Sequence, residues 1–187
     1  MEFRILGPLE VRDGDSEVPV RGGKQHALLA LLLVNANRTL AIDRIVDELW
    51  GEDVPESAHK MVQISVSWLR KVLPRGTLHT RPPGYAVIVE WERLDCTASR
   101  SSWRKRVRHS MPVDPSGRRP GSGGALALAR PALAEFASEP FAQPEGARLE
   151  DLRVYALEGR IEADLHLGRH GELVGELEAL IARYPLR

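Results

Sequence analysis

The chain has 187 residues, of which 43% are hydrophobic, so it can form one or two domains with a buried core. Its 26 basic and 26 acidic side chains give a formal net charge of zero, which excludes attraction of polyanions by overall charge alone. The single cysteine, Cys96, excludes an internal disulfide and is typical of a reducing cytoplasm. No basic region followed by an apolar run opens the chain, so we expect no signal peptide.

The beginning of the chain predicts strands followed by a buried helix. The apolar residues of the opening run are Phe3, Ile5, Leu9 and Val11. Gly7-Pro8 interrupts this run, Asp13-Gly14-Asp15 predicts a turn, and an extended pattern resumes at Val18 and Val20. Residues 27–34 read ALLALLLV and are apolar on every side, which is typical of a helix buried between other elements. This run is too short to span a bilayer, which needs about 20 residues, so we expect no membrane partner.

Two amphipathic segments joined by a short connection come next. The first has one apolar helical face, formed by Ile42, Ile45, Val46, Leu49 and Trp50. Gly51 is expected to end it, Pro55 lies in the connection, and Ser57 is expected to cap the next helix. That helix covers residues 56–73, and its apolar stripe consists of Ala58, Val62, Val66, Leu69 and Leu73. Two short helices joined in this way predict a helix-turn-helix.

The other face of the second helix is polar and basic. It carries Lys60, Gln63, Ser67, Arg70 and Lys71, and Ile64 lies at its border. Long cationic donors, an amide and a small hydroxyl are the groups that contact phosphates and base edges in a DNA groove. A charged helix face is, on its own, more often only solvated surface, and that alternative stays open. Gln63 is the best candidate for reading a base, whereas Arg70 and Lys71 are expected to contact phosphates.

A hairpin follows the helices. Residues 78–81 and 85–89 predict two strands, and Pro82-Pro83-Gly84 predicts the tight turn between them. The hairpin can lie beside the second helix as a wing, with Arg81 at its tip, where it can reach a phosphate or the minor groove. The predicted DNA-binding residues are therefore Lys60, Gln63, Ile64, Ser67, Arg70, Lys71 and Arg81.

Several motifs in this order resemble one family. They are LGPLEV, GGKQHALLALLLVNANR, DRIVDELWG, VSWLRKVL and RPPGYAV, and together they cover about residues 1–92. They resemble the DNA-binding domain of the Streptomyces antibiotic regulatory protein (SARP) family, which implies a winged helix of the OmpR type. Residues 131–187 resemble the bacterial transcriptional activation domain of the same family, which implies an all-helical, tetratricopeptide-like module.

The resemblance implies an α+β winged helix-turn-helix domain followed by an all-α, tetratricopeptide-like partial domain. We place the domains at residues 1–95 and 125–187. The implied function is a cytoplasmic transcriptional regulator that activates secondary-metabolite genes. It would bind direct repeats in double-stranded promoter DNA as a homodimer and contact RNA polymerase.

The C-terminal part has the pattern of two helices. The first apolar face is formed by Leu149, Leu152, Tyr155, Ala156, Ile161, Leu165 and Leu167, and it ends at Gly168. The second is formed by Leu173, Val174, Leu177, Leu180 and Ile181, and Tyr184-Pro185 ends it. Two antiparallel helices form one tetratricopeptide-like unit, and about three such units are needed for stability. We therefore expect an incomplete activation domain.

Residues 96–124 show no periodicity and are rich in Arg, Ser, Gly and Pro. The favoured interpretation is a disordered, solvated linker. Alternatives are a basic arm at residues 104–108 that contacts phosphates, or the product of two compensating frameshifts, because the family resemblance stops near Asp95 and resumes near Ala125. An absence of amphipathic helices in the other two reading frames would refute the frameshift hypothesis.

The charges are unevenly distributed. Residues 1–95 carry 12 basic and 14 acidic side chains, residues 96–130 carry 8 and 1, and residues 131–187 carry 6 and 11. DNA binding by the first segment must therefore depend on a local patch.

The sequence patterns that could indicate an enzyme are incomplete. Gly23-Lys24 resembles the end of a phosphate loop, but Val18 occupies the place of its first Gly and Gln25 that of the Ser or Thr. His166 and His170, with no third ligand and no adjacent Glu, are much more often surface residues than a zinc site. Acidic residues of the first amphipathic segment, such as Asp43, are read as helix surface. We expect no enzyme activity, no cofactor and no metal, although a catalytic triad is recognised by geometry and not by sequence.

Two functions remain open. One is a sequence-specific DNA-binding regulator; the other is a helical protein-interaction module, or a decayed regulator, that does not bind DNA. Trp68 bears most directly on the choice between these two functions, because the family usually has Arg at its place in VSWLRK. At the border of the two helix faces, Trp68 either replaces a phosphate contact or packs into the core. We expect the first, in which case Trp68→Arg would strengthen DNA binding about tenfold.

Overall fold

A three-stranded antiparallel sheet opens the chain. The computed structural model describes residues 1–20, 22–90, 93–95, 131–166, 168 and 170–184. Its first strands are β1 (Glu2–Arg4), β2 (Glu10–Asp13) and β3 (Ser16–Glu17), in that order across the sheet. Phe3 and Val11 lie opposite each other and are buried. Gly14, at φ +59°, makes the predicted turn, and the Val18 N–H donates to the Val11 carbonyl at 2.8 Å.

Three helices follow, as the periodicity predicts. They are α1 (Gly23–Val34), α2 (Ile42–Trp50) and α3 (Ala58–Val72). Every residue of α1 from Ala27 to Leu33 is buried, while α2 and α3 bury only one face each. Helix α1 contacts both other helices, so it forms the centre of the core.

The expected side-chain cap at Ser57 is wrong. Ser57 precedes α3, but its side chain makes no capping hydrogen bond. Its backbone lies at φ −87° and ψ 7°, not in the extended conformation that a capping serine adopts. Instead, a turn after Pro55 starts the helix, with the Ala58 N–H donating to the Pro55 carbonyl at 2.9 Å.

A second three-stranded sheet forms the wing. The hairpin strands are β5 (Leu78–Arg81) and β6 (Gly84–Val87), and the turn between them contains the cis peptide bond Pro82-Pro83. A two-residue strand that the sequence does not predict, β4 (Leu40–Ala41), pairs with the other edge of β6. Gly84 permits this pairing, because a Cβ there would collide with the Leu40 carbonyl oxygen.

The C-terminal part is a pair of helices, as predicted. Helix α4 (Ala142–His166) and α5 (His170–Arg183) are joined at Gly168, which has φ +77°. The pair is antiparallel, since the Tyr184 hydroxyl beyond the end of α5 donates to Glu150 near the start of α4. Burial, and then the neighbouring Glu150 carboxylate, raise the pKa of Tyr184 above its usual value.

The helical part packs directly on the winged helix. A short 3-10 helix (Ala134–Phe136) and the start of α4 contribute Leu133, Phe136, Phe141 and Leu149 to the same core as α1. Lys24 Nζ lies 2.7 Å from Glu139 Oε2 and 2.6 Å from the Leu49 carbonyl oxygen, over the Trp50 ring.

The loop between β1 and β2 donates backbone hydrogen bonds to two carboxylates. One precedes and the other follows residues 96–130, which the structure does not describe. Asp95 accepts hydrogen bonds from the N–H groups of Ile5 (2.8 Å) and Leu6 (3.1 Å). Glu135 accepts one from the Leu9 N–H at 2.7 Å. The linker, basic-arm and frameshift hypotheses concern residues 96–124, which lie outside the described residues.

None of the helices in the described part of the chain is long and apolar enough to cross a membrane.

The junction yields a stability prediction. Glu139→Gln removes the charge that faces Lys24 at a carboxylate that is only 13% exposed, so we expect the free energy of unfolding to fall by about 1 kcal/mol. Urea denaturation followed by circular dichroism measures it. The matched control is Glu90→Gln, which breaks an equally short but exposed pair with Arg93 and should cost about 0.3 kcal/mol or less. Equal losses in the two variants would show that the junction pair does not stabilise the fold.

Candidate nucleic-acid interface

The predicted DNA-binding residues form one exposed surface, which we call the α3–wing surface. It consists of Lys60, Gln63, Ile64, Ser67, Arg70 and Lys71 on α3, and Arg81 at the end of β5. All seven side chains are exposed, and Ile64 is an aliphatic side chain with 55% of its surface accessible. The sequence thus identified residues that the fold brings together on the solvent side of α3 and its wing.

Helix α3 is held rigidly behind this surface. Ala58, Val62 and Leu69 are almost completely buried against the other helices. At its start, His59 Nε2 lies 2.8 Å from Asp43 Oδ1, which ties α3 to the first turn of α2. Asp43 is itself exposed, as expected for helix surface. A helix fixed on its inner side presents its outer side chains in a constant orientation, which base readout requires.

The charge of the α3–wing surface is not neutralised internally. Among the residues that the structure describes, no carboxylate forms an ion pair with Lys60, Lys71 or Arg81. Arg75, between α3 and β5, is exposed as well. Although the winged-helix segment has more acidic than basic side chains, this surface concentrates cations, as a local DNA-binding patch requires.

Arg70 differs from the other cations because the wing engages it. Its Nε donates to the Leu78 carbonyl oxygen at 3.4 Å, and its Nη2 donates to Thr80 Oγ1 at 2.6 Å. Thr80 is not among the residues that the sequence predicts to bind DNA. Thr80 is an exposed polar residue next to Arg81 in a hairpin strand, and such a residue forms no sequence pattern that would predict this contact.

Trp68 is half-buried and packs against the hydrophobic core. Although Trp68 lies at the border of the two faces on the helical wheel, its side chain therefore packs towards the inner side of α3. This contact favours the structural interpretation of Trp68 over the expectation that it merely replaces a phosphate contact.

The other candidate ligand groups are dispersed. His166 ends α4 and His170 begins α5, so their spacing does not place them on one helix face. Within the described ranges, no group of three or more His, Cys, Asp or Glu residues could hold a metal ion. A separate apolar groove of about 350 Å³ lies between α4 and α5, where Leu157, Ile161 and Leu177 are among its lining residues.

Comparison with known proteins assigns both parts of the chain. Residues 18–87 match the family model described as "Transcriptional regulatory protein, C terminal", and residues 96–187 match "Bacterial transcriptional activator domain". Regulatory protein DnrI of Streptomyces peucetius is 31% identical over an alignment that covers all of this chain and 73% of DnrI. The chain belongs to the SARP family of transcriptional regulators. In this chain the winged-helix match precedes the activator-domain match.

Longer proteins contain the same two-part region. Regulatory protein AfsR of Streptomyces coelicolor is 35% identical over the whole chain, which spans only 19% of AfsR. A solved structure of Mycobacterium tuberculosis EmbR, in complex with a low affinity phosphopeptide, matches the whole chain with a TM-score of 0.72 and 28% identity. The chain spans about half (51%) of that EmbR chain.

The packing of Trp68 leads to a prediction that differs from the sequence-based one. Trp68→Arg places a charge against the core, so we expect the free energy of unfolding to fall by about 2 kcal/mol with no gain in DNA affinity. Thermal unfolding and DNA titration of the same variant measure the two effects. The control is Ile64→Arg, which adds the same charge to an exposed position of α3 and should leave the melting temperature unchanged. Tighter DNA binding by Trp68→Arg at an unchanged melting temperature would show instead that Trp68 replaces a phosphate contact.

Proposed function

We propose that this SARP-family chain binds specific double-stranded DNA through the α3–wing surface and regulates transcription in the cytoplasm. The supporting observation is a rigidly mounted helix with an exposed basic face, in which Lys60 and Lys71 have no carboxylate partner among the described residues. The family assignment adds a second argument, because transcriptional regulation is the family's activity. The proposed targets are direct repeats in promoters of secondary-metabolite genes, with activation as the outcome.

Each residue of the surface except Arg70, which is bonded to the wing, has a proposed role in contacting DNA. The Gln63 amide can donate to and accept from an adenine edge, whereas the ammonium groups of Lys60 and Lys71 suit phosphates. Ser67 is small enough to permit close approach, and Arg81 at the wing tip can reach the adjacent backbone or minor groove. Ile64, exposed among these polar groups, suits the methyl group of thymine. No step in this proposal is catalytic.

The two domains have separate proposed tasks. The winged helix, residues 1–95, would bind DNA, and the helical domain, residues 125–187, would contact RNA polymerase and a second copy of the protein on adjacent repeats. The family model supports a wider second domain that starts at residue 96. The groove between α4 and α5 also supports an alternative function, a protein-interaction module without DNA binding. An electrophoretic shift with direct-repeat DNA separates these possibilities.

The roles of Gln63 and Lys71 are tested by alanine substitution. We expect Lys71→Ala to weaken binding to all sequences and to reduce the slope of log affinity against log salt by about one unit. Gln63→Ala should keep the slope but relax sequence preference, because an amide carries no charge. Fluorescence anisotropy at several salt concentrations measures both effects. Arg148→Ala, at an exposed position of α4, is the control for a general loss of positive charge. Identical slopes for the Lys71 and Gln63 variants would contradict these assignments.

Ile64 can be tested by removing single methyl groups from the DNA. Replacing one thymine by deoxyuridine deletes only the C5 methyl, so at the contacted position we expect affinity to fall about fourfold. Ile64→Ala should bind the thymine and deoxyuridine sites equally, since the partner of the methyl is gone. Scanning each thymine of the bound repeat with both proteins identifies the position. Equal sensitivity of the wild-type and Ile64→Ala proteins at every thymine would exclude this contact.

A further inference from the structure

The wing depends on α3 for the support of its outer strand. In the sheet order β4-β6-β5, the central strand β6 is paired on both sides, but β5 is an edge strand. The pairs Leu40↔Tyr85 and Ala41↔Gly84 fix β6 close to the hairpin tip. On the other edge, no strand of the described residues pairs with β5, so this edge presents unpaired backbone groups. One of them, the Leu78 carbonyl, accepts a hydrogen bond from Arg70.

Arg70 is suited to this support because its guanidinium is a planar fork. Two different nitrogens reach two positions of β5, the Leu78 carbonyl at 3.4 Å and the Thr80 hydroxyl at 2.6 Å. A lysine offers a single ammonium and cannot span both acceptors in the same way. Arg70 therefore joins the last turns of α3 to the edge of the wing at two points.

The contact lies immediately beside the wing tip. Thr80 precedes Arg81, and Arg81 pairs with Gly84 across the turn. Fixing Thr80 to α3 consequently fixes the distance between the Gln63 region of α3 and the Arg81 side chain. A DNA-binding surface made of a helix and a hairpin must keep this distance constant if both are to contact the same duplex.

We propose that Arg70 is a positioning residue that sets the wing against α3 through Thr80 and the Leu78 carbonyl, so that Arg81 meets the DNA in register with α3. This inference rests on the proposed DNA binding for its functional consequence. The bridge itself requires no DNA. It gives Arg70 a different role from the phosphate contact that the sequence predicts.

The test uses the full chain and substitutions at Thr80, which change no charge. Thr80→Val keeps the shape and strand preference of the residue but removes the acceptor of the Arg70 bond. Thr80→Ser retains a hydroxyl and is the matched rescue variant. Arg70→Lys keeps the charge but loses the fork. Thermal unfolding of each variant shows that the fold is retained.

The first measurement needs no DNA. Backbone amide hydrogen exchange is compared over residues 78–87 of the wing. Loss of one such bond should raise the exchange rate about fivefold in Thr80→Val and Arg70→Lys, with wild-type rates in Thr80→Ser. Unchanged exchange in Thr80→Val would overturn the inference, whatever the DNA measurements give.

The second measurement uses DNA that the wild-type protein selects from a random duplex library. Thr80→Val should weaken binding about fivefold, Thr80→Ser should restore it, and Arg81→Ala should cost much less in the Thr80→Val background than alone. A purely structural role would not produce this coupling to Arg81. If Thr80→Val binds like wild type while Arg70→Gln lowers the salt slope by about one, Arg70 is a phosphate contact and the inference fails. If the wild-type chain selects no duplex, the proposed function fails, and the exchange measurement still decides the role of Arg70.

Discussion

The burial of α1 is the constraint on which the rest of the structure depends. From Ala27 to Leu33 the helix has no side that tolerates water, so other elements must surround it. Helices α2 and α3 cover part of it, and strand β6 and the segment around Phe136 and Phe141 complete the same core. The polar face of α3 is free for a ligand because its apolar face is fully used by this packing. The helical domain, in turn, joins the winged helix through a shared core and not only through the covalent chain.

A protein with no net charge can attract DNA only where its basic side chains are concentrated on one part of the surface. Several acidic groups of this chain are engaged away from α3: Glu139 with Lys24, Glu135 with the Leu9 N–H, and Glu150 with Arg183 and Tyr184. The basic groups of the α3–wing surface face solvent without such partners among the described residues. Within the described residues, these contacts thus also separate the charges and leave the α3–wing surface positive, although the charges of the whole chain sum to zero.

Local patterns predicted most of the winged helix and the break between the two C-terminal helices. The periodicity of α2 and α3, the turn at Pro82-Pro83 and the helix break at Gly168 each depend on residues a few positions apart, so the sequence reveals them directly. Strand β4 escaped prediction because its two residues form a strand only by pairing with β6. The Lys24–Glu139 contact joins residues 115 positions apart, and the Arg70–Thr80 contact depends on where the hairpin lies against α3. Ser57 had the right residue type for a cap but the wrong backbone conformation.

The hydrogen bonds of Asp95 and Glu135 have a consequence for how this gene can vary. Both carboxylates are bonded to the loop between β1 and β2, so Asp95 and Glu135 hold this loop at one place although they lie far apart in the sequence. Ile5, Leu6 and Leu9, whose N–H groups donate to them, are buried. Loss of either carboxylate would leave a buried donor unpaired, which costs about 1–3 kcal/mol. Gene variants that replace Asp95 or Glu135 are therefore expected to be selected against, although neither residue belongs to the α3–wing surface.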